Sequence, residues 1–137
     1  MKRMILVLAL VTLSLAGCGP QNNPGGGSTP TSTDTNLDIT PAPITDLQVI
    51  AAQSQPPQFS AQFKIGLRDT CTTFRDLTTS RNGNIVTINV TVQREKGKIC
   101  GQVYTLTDRT VSLGGNFTPG QTYTVNVNDQ TTTFKAP

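Results

Sequence analysis

The chain has no histidine and no tryptophan in 137 residues, and its aromatics are two Tyr and five Phe. Histidine is the commonest general base near neutral pH, so Ser-His-Asp and Cys-His arrangements cannot be assembled. A zinc site would have to fall back on the three cysteines. Acidic residues number eight, and none are grouped for acid-base work. Glu95 lies in the charged turn Arg94 to Lys98, while Asp69, Asp76 and Asp108 each stand beside an arginine, Arg68, Arg75 and Arg109 respectively. Such neighbours read as solvated surface charges, and no Asp-x-Asp-x-Asp run offers calcium a loop. The inventory predicts a protein that is not an enzyme and holds no metal or cofactor. Blocks of Lys and Arg interleaved with stacking rings are also missing, so nucleic acid is not an expected partner. No segment sustains apolar residues at helical spacing, and no internal repeat is visible.

What the chain does have begins at its first residues. Lys2 and Arg3 precede an apolar run from Met4 to Leu15, which closes in Leu15-Ala16-Gly17-Cys18. A charged start, a short apolar stretch and small residues before a break are the ingredients of an export signal, predicted over 1–17, and the run is too short to span a bilayer. The Leu-Ala-Gly-Cys order resembles the lipobox of bacterial lipoproteins. That resemblance implies that Cys18 is diacylated on its thiol, becomes the first residue after cleavage, and ties the chain to a membrane of the cell envelope facing periplasm or exterior. Lys2 and Arg3 would leave with the signal, lowering eleven basic residues to nine against eight acidic ones, a net charge of +1. The basic character of the whole chain is then largely a property of its leader.

From Cys18 to Pro43 the chain is dominated by Gly, Pro, Ser, Thr and Asn, with Leu37 and Ile39 as its only sizeable apolar residues. It has little to bury, so a disordered linker over 18–43 is expected. As a flexible coil of about 25 residues it would span roughly 25 to 30 Å.

The remaining stretch, 44–137, is long enough for one domain with one core. Val86-Thr87-Ile88-Asn89-Val90-Thr91-Val92 alternates strictly, placing four aliphatic residues on one face. Phe59 to Ile65 and Tyr123 to Val127 share the pattern. Asn82-Gly83, Lys96-Gly97 and Asn128-Asp129 supply turn chemistry, and Pro56-Pro57 breaks the chain after a first strand at Leu47 to Ala52. With Thr73 to Ser80, Ile85 to Gln93, a segment from Ile99 to Leu113 that bends, and Thr131 to Lys135, seven strands are predicted. The expected fold is all-β, an antiparallel immunoglobulin-like sandwich of about seven strands.

Leu113 to Val125, with Pro119-Gly120 leading into Tyr123, resembles the tyrosine-corner region of fibronectin type III and related immunoglobulin-like domains. The resemblance implies a structural role for Pro119, Gly120 and Tyr123, with the phenol bonding a backbone group a few residues upstream. The wider pattern, a cysteine before a strand, an Asn-Gly-Asn hairpin, a second cysteine and then Pro-Gly-x-x-Tyr, is similar to small modules of bacterial envelope lipoproteins. With Cys18 acylated, Cys71 and Cys100 remain as an even pair in an oxidising compartment. A bond between them would close a loop of about 30 residues and stabilise by about 3.5 kcal/mol through loop-closure entropy.

These readings converge on a monomeric, lipid-anchored β-sandwich that binds or assembles with an envelope protein through loops or a sheet edge. The alternative is a protease inhibitor acting through sandwich-end loops, with Gly66 to Thr70, Arg94 to Lys98 and Gly114 to Gly120 as candidate loops. A carbohydrate-binding role would rest on Tyr104 as the one ring left for the surface. The Asn89-Val90-Thr91 and Asn116-Phe117-Thr118 sequons read as accidental in a bacterial chain.

Overall fold

A computed structural model describes residues 36–137. The export signal expected over 1–17, Cys18 and most of the expected linker lie outside these residues. The described chain is all-β, with eight strands and no helix: β1 Leu37–Pro41, β2 Ile44–Ala52, β3 Gln58–Leu67, β4 Thr73–Asn82, β5 Ile85–Glu95, β6 Thr105–Gly114, β7 Thr122–Val127 and β8 Gln130–Lys135. β2, β3 and β6 form a three-stranded sheet in that order, and the other five form the second. The expected two-sheet sandwich is present.

The alternation seen in sequence is what closes the core. Phe59, Ala61, Phe63 and Ile65 of β3 point inward and meet Val86, Ile88, Val90 and Val92 of β5 and Tyr123, Val125 and Val127 of β7, all buried. Full burial of a residue such as Ile88 contributes about 1.5–3 kcal/mol. At one end Phe59, Phe117, Tyr123 and Phe134 pack as a cluster with ring centroids 4.8–5.6 Å apart, mostly edge to face. The Tyr123 hydroxyl accepts a hydrogen bond from the Thr118 backbone N–H at 2.9 Å, and this bond holds the phenol below its ordinary pKa. Arg81 lies over this cluster, its guanidinium 4.4 Å from the Phe117 ring centre while donating to the carbonyls of Asn116 and Gly83.

Five features depart from the sequence reading. Leu37–Pro41 is a strand, so the folded domain starts near Asn36 and the linker does not run to Pro43. The strand is held by an antiparallel ladder to β5 rather than by burial: Leu37 is half-buried and Ile39 is exposed. A composition argument counts only what a segment buries and therefore passes over it. The strand count is eight, and one pairing, β5 with β7, is parallel. Ile99 to Tyr104 is irregular chain, and the strand begins only at Thr105. The β4–β5 turn is centred on Gly83-Asn84, because Asn82 already pairs with Ile85. Positive φ falls on Gly83 alone in that turn (57°), the first central position, where a type II′ hairpin calls for glycine. Lastly, β2 starts at Ile44 and carries a bulge between Thr45 and Gln48, where Asp46 takes a φ of 55°.

The two halves of one β5 edge are served by different strands. β1 covers Thr91 to Glu95 and β7 covers Ile85 to Ile88. At the seam between them the Asn128 side chain replaces a strand. Its Oδ1 accepts from the Val90 N–H at 2.9 Å, and its Nδ2 donates to the carbonyls of Ala42 (2.7 Å) and Val90 (2.9 Å). Asn128 sits at φ 50°, a left-handed conformation that asparagine tolerates better than other side-chain-bearing residues.

Candidate functional site: the disulfide end of the sandwich

The end opposite the aromatic cluster gathers the β3–β4 loop, the β5–β6 connection and the start of β1. Asp69 organises it. Its Oδ1 accepts from the backbone N–H of Cys71 (3.0 Å) and Thr72 (2.8 Å) and from the Thr72 hydroxyl (2.8 Å), a tight side-chain turn that sets the chain for β4. Its Oδ2 accepts from Arg94 Nε at 2.8 Å. Arg94, from β5, in turn donates through Nη2 to the Lys98 carbonyl (3.1 Å) and to Cys100 Sγ (3.5 Å). The Arg94 guanidinium and the Thr72 hydroxyl hold the Asp69 carboxyl at a pKa of about 2.

Cys71 and Cys100 are disulfide-bonded, 29 residues apart in sequence with Cα atoms 5.6 Å apart. Thr70 and Gly101 add a small ladder: the Thr70 N–H donates to the Gly101 carbonyl, and the Gly101 N–H to the Thr70 hydroxyl. The β3–β4 loop and the 98–101 segment are therefore joined by the disulfide and by the Thr70–Gly101 hydrogen bonds, and Arg94 of β5 links them a third way by holding Asp69 and the Lys98 carbonyl together. Among the described residues, the one grouping of three potential metal-ligating side chains is Asp69, Cys71 and Cys100. Both sulfurs are consumed in the disulfide and the carboxylate by its donors, so the group does not fit a metal.

On this stapled base the 99–106 segment presents apolar side chains to solvent. Ile99 is 99 % exposed, Val103 55 %, Tyr104 57 % and Leu106 47 %. Ile99 also rims a cleft of about 440 Å³ with Leu37, Cys71, Arg94 and Lys98. Leu106 pairs with Gly66 on β3, and the Tyr104 phenol rests on Gly66, in the space a Cβ at that position would need. Tyr104, Leu106 and the bare Gly66 backbone thus make one apolar patch. It flanks β6, which among the described residues pairs with β3 alone and has an open outer edge.

The loops singled out in sequence divide between the two ends. Gly66 to Thr70 and Arg94 to Lys98 come together here, whereas Gly114 to Gly120 lies at the aromatic end: Gly114 pairs with Phe59, and the Gly120 N–H is bonded to the Ala136 carbonyl. Pro119, Gly120 and Tyr123 are at that same far end and line nothing at the disulfide end. Tyr104, chosen in sequence as a lone surface ring, is indeed exposed but has its hydroxyl end against backbone. Sequence reading missed Asp69 and Arg94 as a linked pair. They are 25 residues apart, and only the Asp-x-Cys-Thr spacing hints at a side-chain turn. The sequence places Ile99 in a strand, whereas it stands at an exposed tip, for which its Lys-Ile-Cys context is the available sign.

Residues 61–136 match the family model of the ORF11 beta-sandwich domain. An uncharacterized 10.2 kDa protein in the HgiCIIM 5′ region of Herpetosiphon aurantiacus is 34% identical over 86 residues, covering 63% of this chain and 90% of the relative. No solved structure matches the chain.

Proposed function

We propose, for a chain that belongs to the ORF11 beta-sandwich domain family, a non-catalytic binding or assembly module that is lipid-anchored in the bacterial envelope through Cys18. The anchor reading is supported by the Leu15-Ala16-Gly17-Cys18 sequence after its charged and apolar leader. Two or three acyl chains hold a small domain essentially permanently, since each buried methylene contributes about 0.8 kcal/mol. The observation that carries the binding reading is the exposed apolar group Val103, Tyr104 and Leu106 beside the open edge of β6. Large apolar side chains clustered at a sheet edge suit an extended segment of an envelope protein that adds to the sheet and covers them.

A photoreactive residue at position 106 of the intact protein, activated in its own envelope, tests this. A discrete crosslinked protein that disappears with Tyr104→Ala and is absent when the photoreactive residue is at Ile50 supports the module. Uniform labelling from both positions removes it.

The inhibitor reading is favoured by one observation, the joining of two candidate loops under Lys98-Ile99 beside a disulfide. Its test is inhibition of a protease panel by the intact protein, abolished by replacing Arg94 to Lys98 with a Gly-Ser loop.

A further inference from the structure

We infer that the Ile99 end of the sandwich seats on the phospholipid surface in which the chain is anchored, with Ile99 entering the headgroup layer and Lys98 and Arg68 facing lipid phosphates. This rests on the lipid-anchor reading above. The first support is where the chain enters the domain. Leu37 pairs with Glu95, and the Asn36 carbonyl accepts the Lys96 N–H at 2.9 Å. The peptide leading back to Cys18 therefore leaves from the turn that carries Lys96, Gly97 and Lys98. Between Cys18 and Asn36 lie 17 residues, whose outstretched reach is at most about 60 Å. The β4–β5 turn and the aromatic cluster are at the other end.

The second support is chemical. Ile99 is 99 % exposed, more than any other large apolar residue described, and it follows a turn bearing Lys96 and Lys98. An aliphatic tip on a cationic turn suits the boundary between headgroups and acyl chains, where the apolar group is buried and the ammonium groups stay among phosphates. Arg68, Arg94, Lys96 and Lys98 stand at this end against Asp38, Asp69 and Glu95. Arg94 is committed to Asp69, while the Lys98–Glu95 pair, 3.1 Å, is more than half exposed on both sides and can yield Lys98 to a phosphate. One isoleucine and a few cations would not hold a free protein on a bilayer. Tethering makes the contact intramolecular, and an effective concentration in the millimolar range lets a weak contact dominate. The disulfide and the Asp69–Arg94 pair hold the tip's base in place beforehand, so little ordering is left to be done on contact.

The chain has no tryptophan, so Ile99→Trp installs a single indole at the tip, and Ile50→Trp installs one at the far end of β2, equally prone to seek an interface. Each intact, acylated protein is reconstituted into phosphatidylglycerol vesicles with brominated acyl chains, and the mass of the Cys18 peptide is recorded. The inference expects the Ile99→Trp emission to fall roughly by half, the Ile50→Trp emission to hold, and the quenching to be lost when Arg68→Glu and Lys98→Glu are added. Equal quenching at both positions, or none at Ile99→Trp in protein that carries its acyl chains and floats with the vesicles, overturns the seating and leaves the anchor standing. A Cys18 peptide without acyl mass overturns the anchor reading and the seating with it.

Discussion

At the residue scale, Asp69 and Asn128 each perform what an ordinary stretch of backbone would otherwise do. Asp69 accepts four hydrogen bonds from two elements, and its carboxyl titrates at about 2 instead of the ordinary 3.8. Because the folded value lies below the unfolded one, the contribution is fully present above about pH 4 and is lost as pH falls through about 2. Asp69→Asn is expected to flatten the acid limb of the melting temperature between pH 2 and 4 while leaving the shape of the profile above pH 5 unchanged, as followed by circular dichroism. Asn128 closes the seam on β5. Asn128→Ala leaves the Val90 N–H without its acceptor, at an expected cost of about 2–3 kcal/mol in urea denaturation. Asn128→Gly, which relieves the positive φ but still lacks the amide, should recover about 1 kcal/mol of that.

At the element scale, the strands with one dry face are those that alternation announces. β3, β5 and β7 bury every second residue, and their faces were legible because Phe59, Val86 or Tyr123 cannot be placed outward without slipping the whole register. Where hydrogen bonding rather than burial holds a strand, the sequence is quiet. β1 buries little, so nothing in Leu37-Asp38-Ile39-Thr40-Pro41 separates it from linker. The 99–104 segment misleads in the opposite way, since Ile99 and Val103 imitate a strand while facing solvent. Only the general place of the candidate site was readable, through Cys71, Cys100 and Tyr104; the Asp69–Arg94 link depends on a fold-level approach of two distant segments. Gly66 shows how local geometry shapes the patch. Gly66→Ala would displace the flexible Tyr104 side chain rather than rigid backbone, so stability should change by less than about 1 kcal/mol. The crosslinking from position 106 should nevertheless fall sharply, because Tyr104 no longer lies flat.

At the scale of the whole molecule, the domain boundary is testable by cutting. A chain beginning at Asn36 should melt with the full-length protein, whereas one beginning at Ile44 loses the β1 ladder and the Ala42 carbonyl that Asn128 meets. A loss of roughly 3–5 kcal/mol is expected for the shorter chain, at about 1 kcal/mol per hydrogen bond removed, read from the urea midpoint. Replacing Cys71 and Cys100 by serine should cost about 2–5 kcal/mol. Because Arg94 holds Asp69 on one side and the Lys98 carbonyl and Cys100 on the other, adding Asp69→Asn to that variant should cost more than the separate effects combined, as a double-mutant cycle would record.

The way the chain enters the domain also has a mechanical meaning. β1 runs inward from Asn36 along β5, antiparallel and in register over five residue pairs. A pull on the incoming peptide along the strand axis is spread across these pairs together, as shear, instead of peeling them one after another from an end. β1 is thus the strand through which a pull on the peptide preceding Asn36 enters the domain, and its hydrogen-bonded length sets how much load the joint withstands.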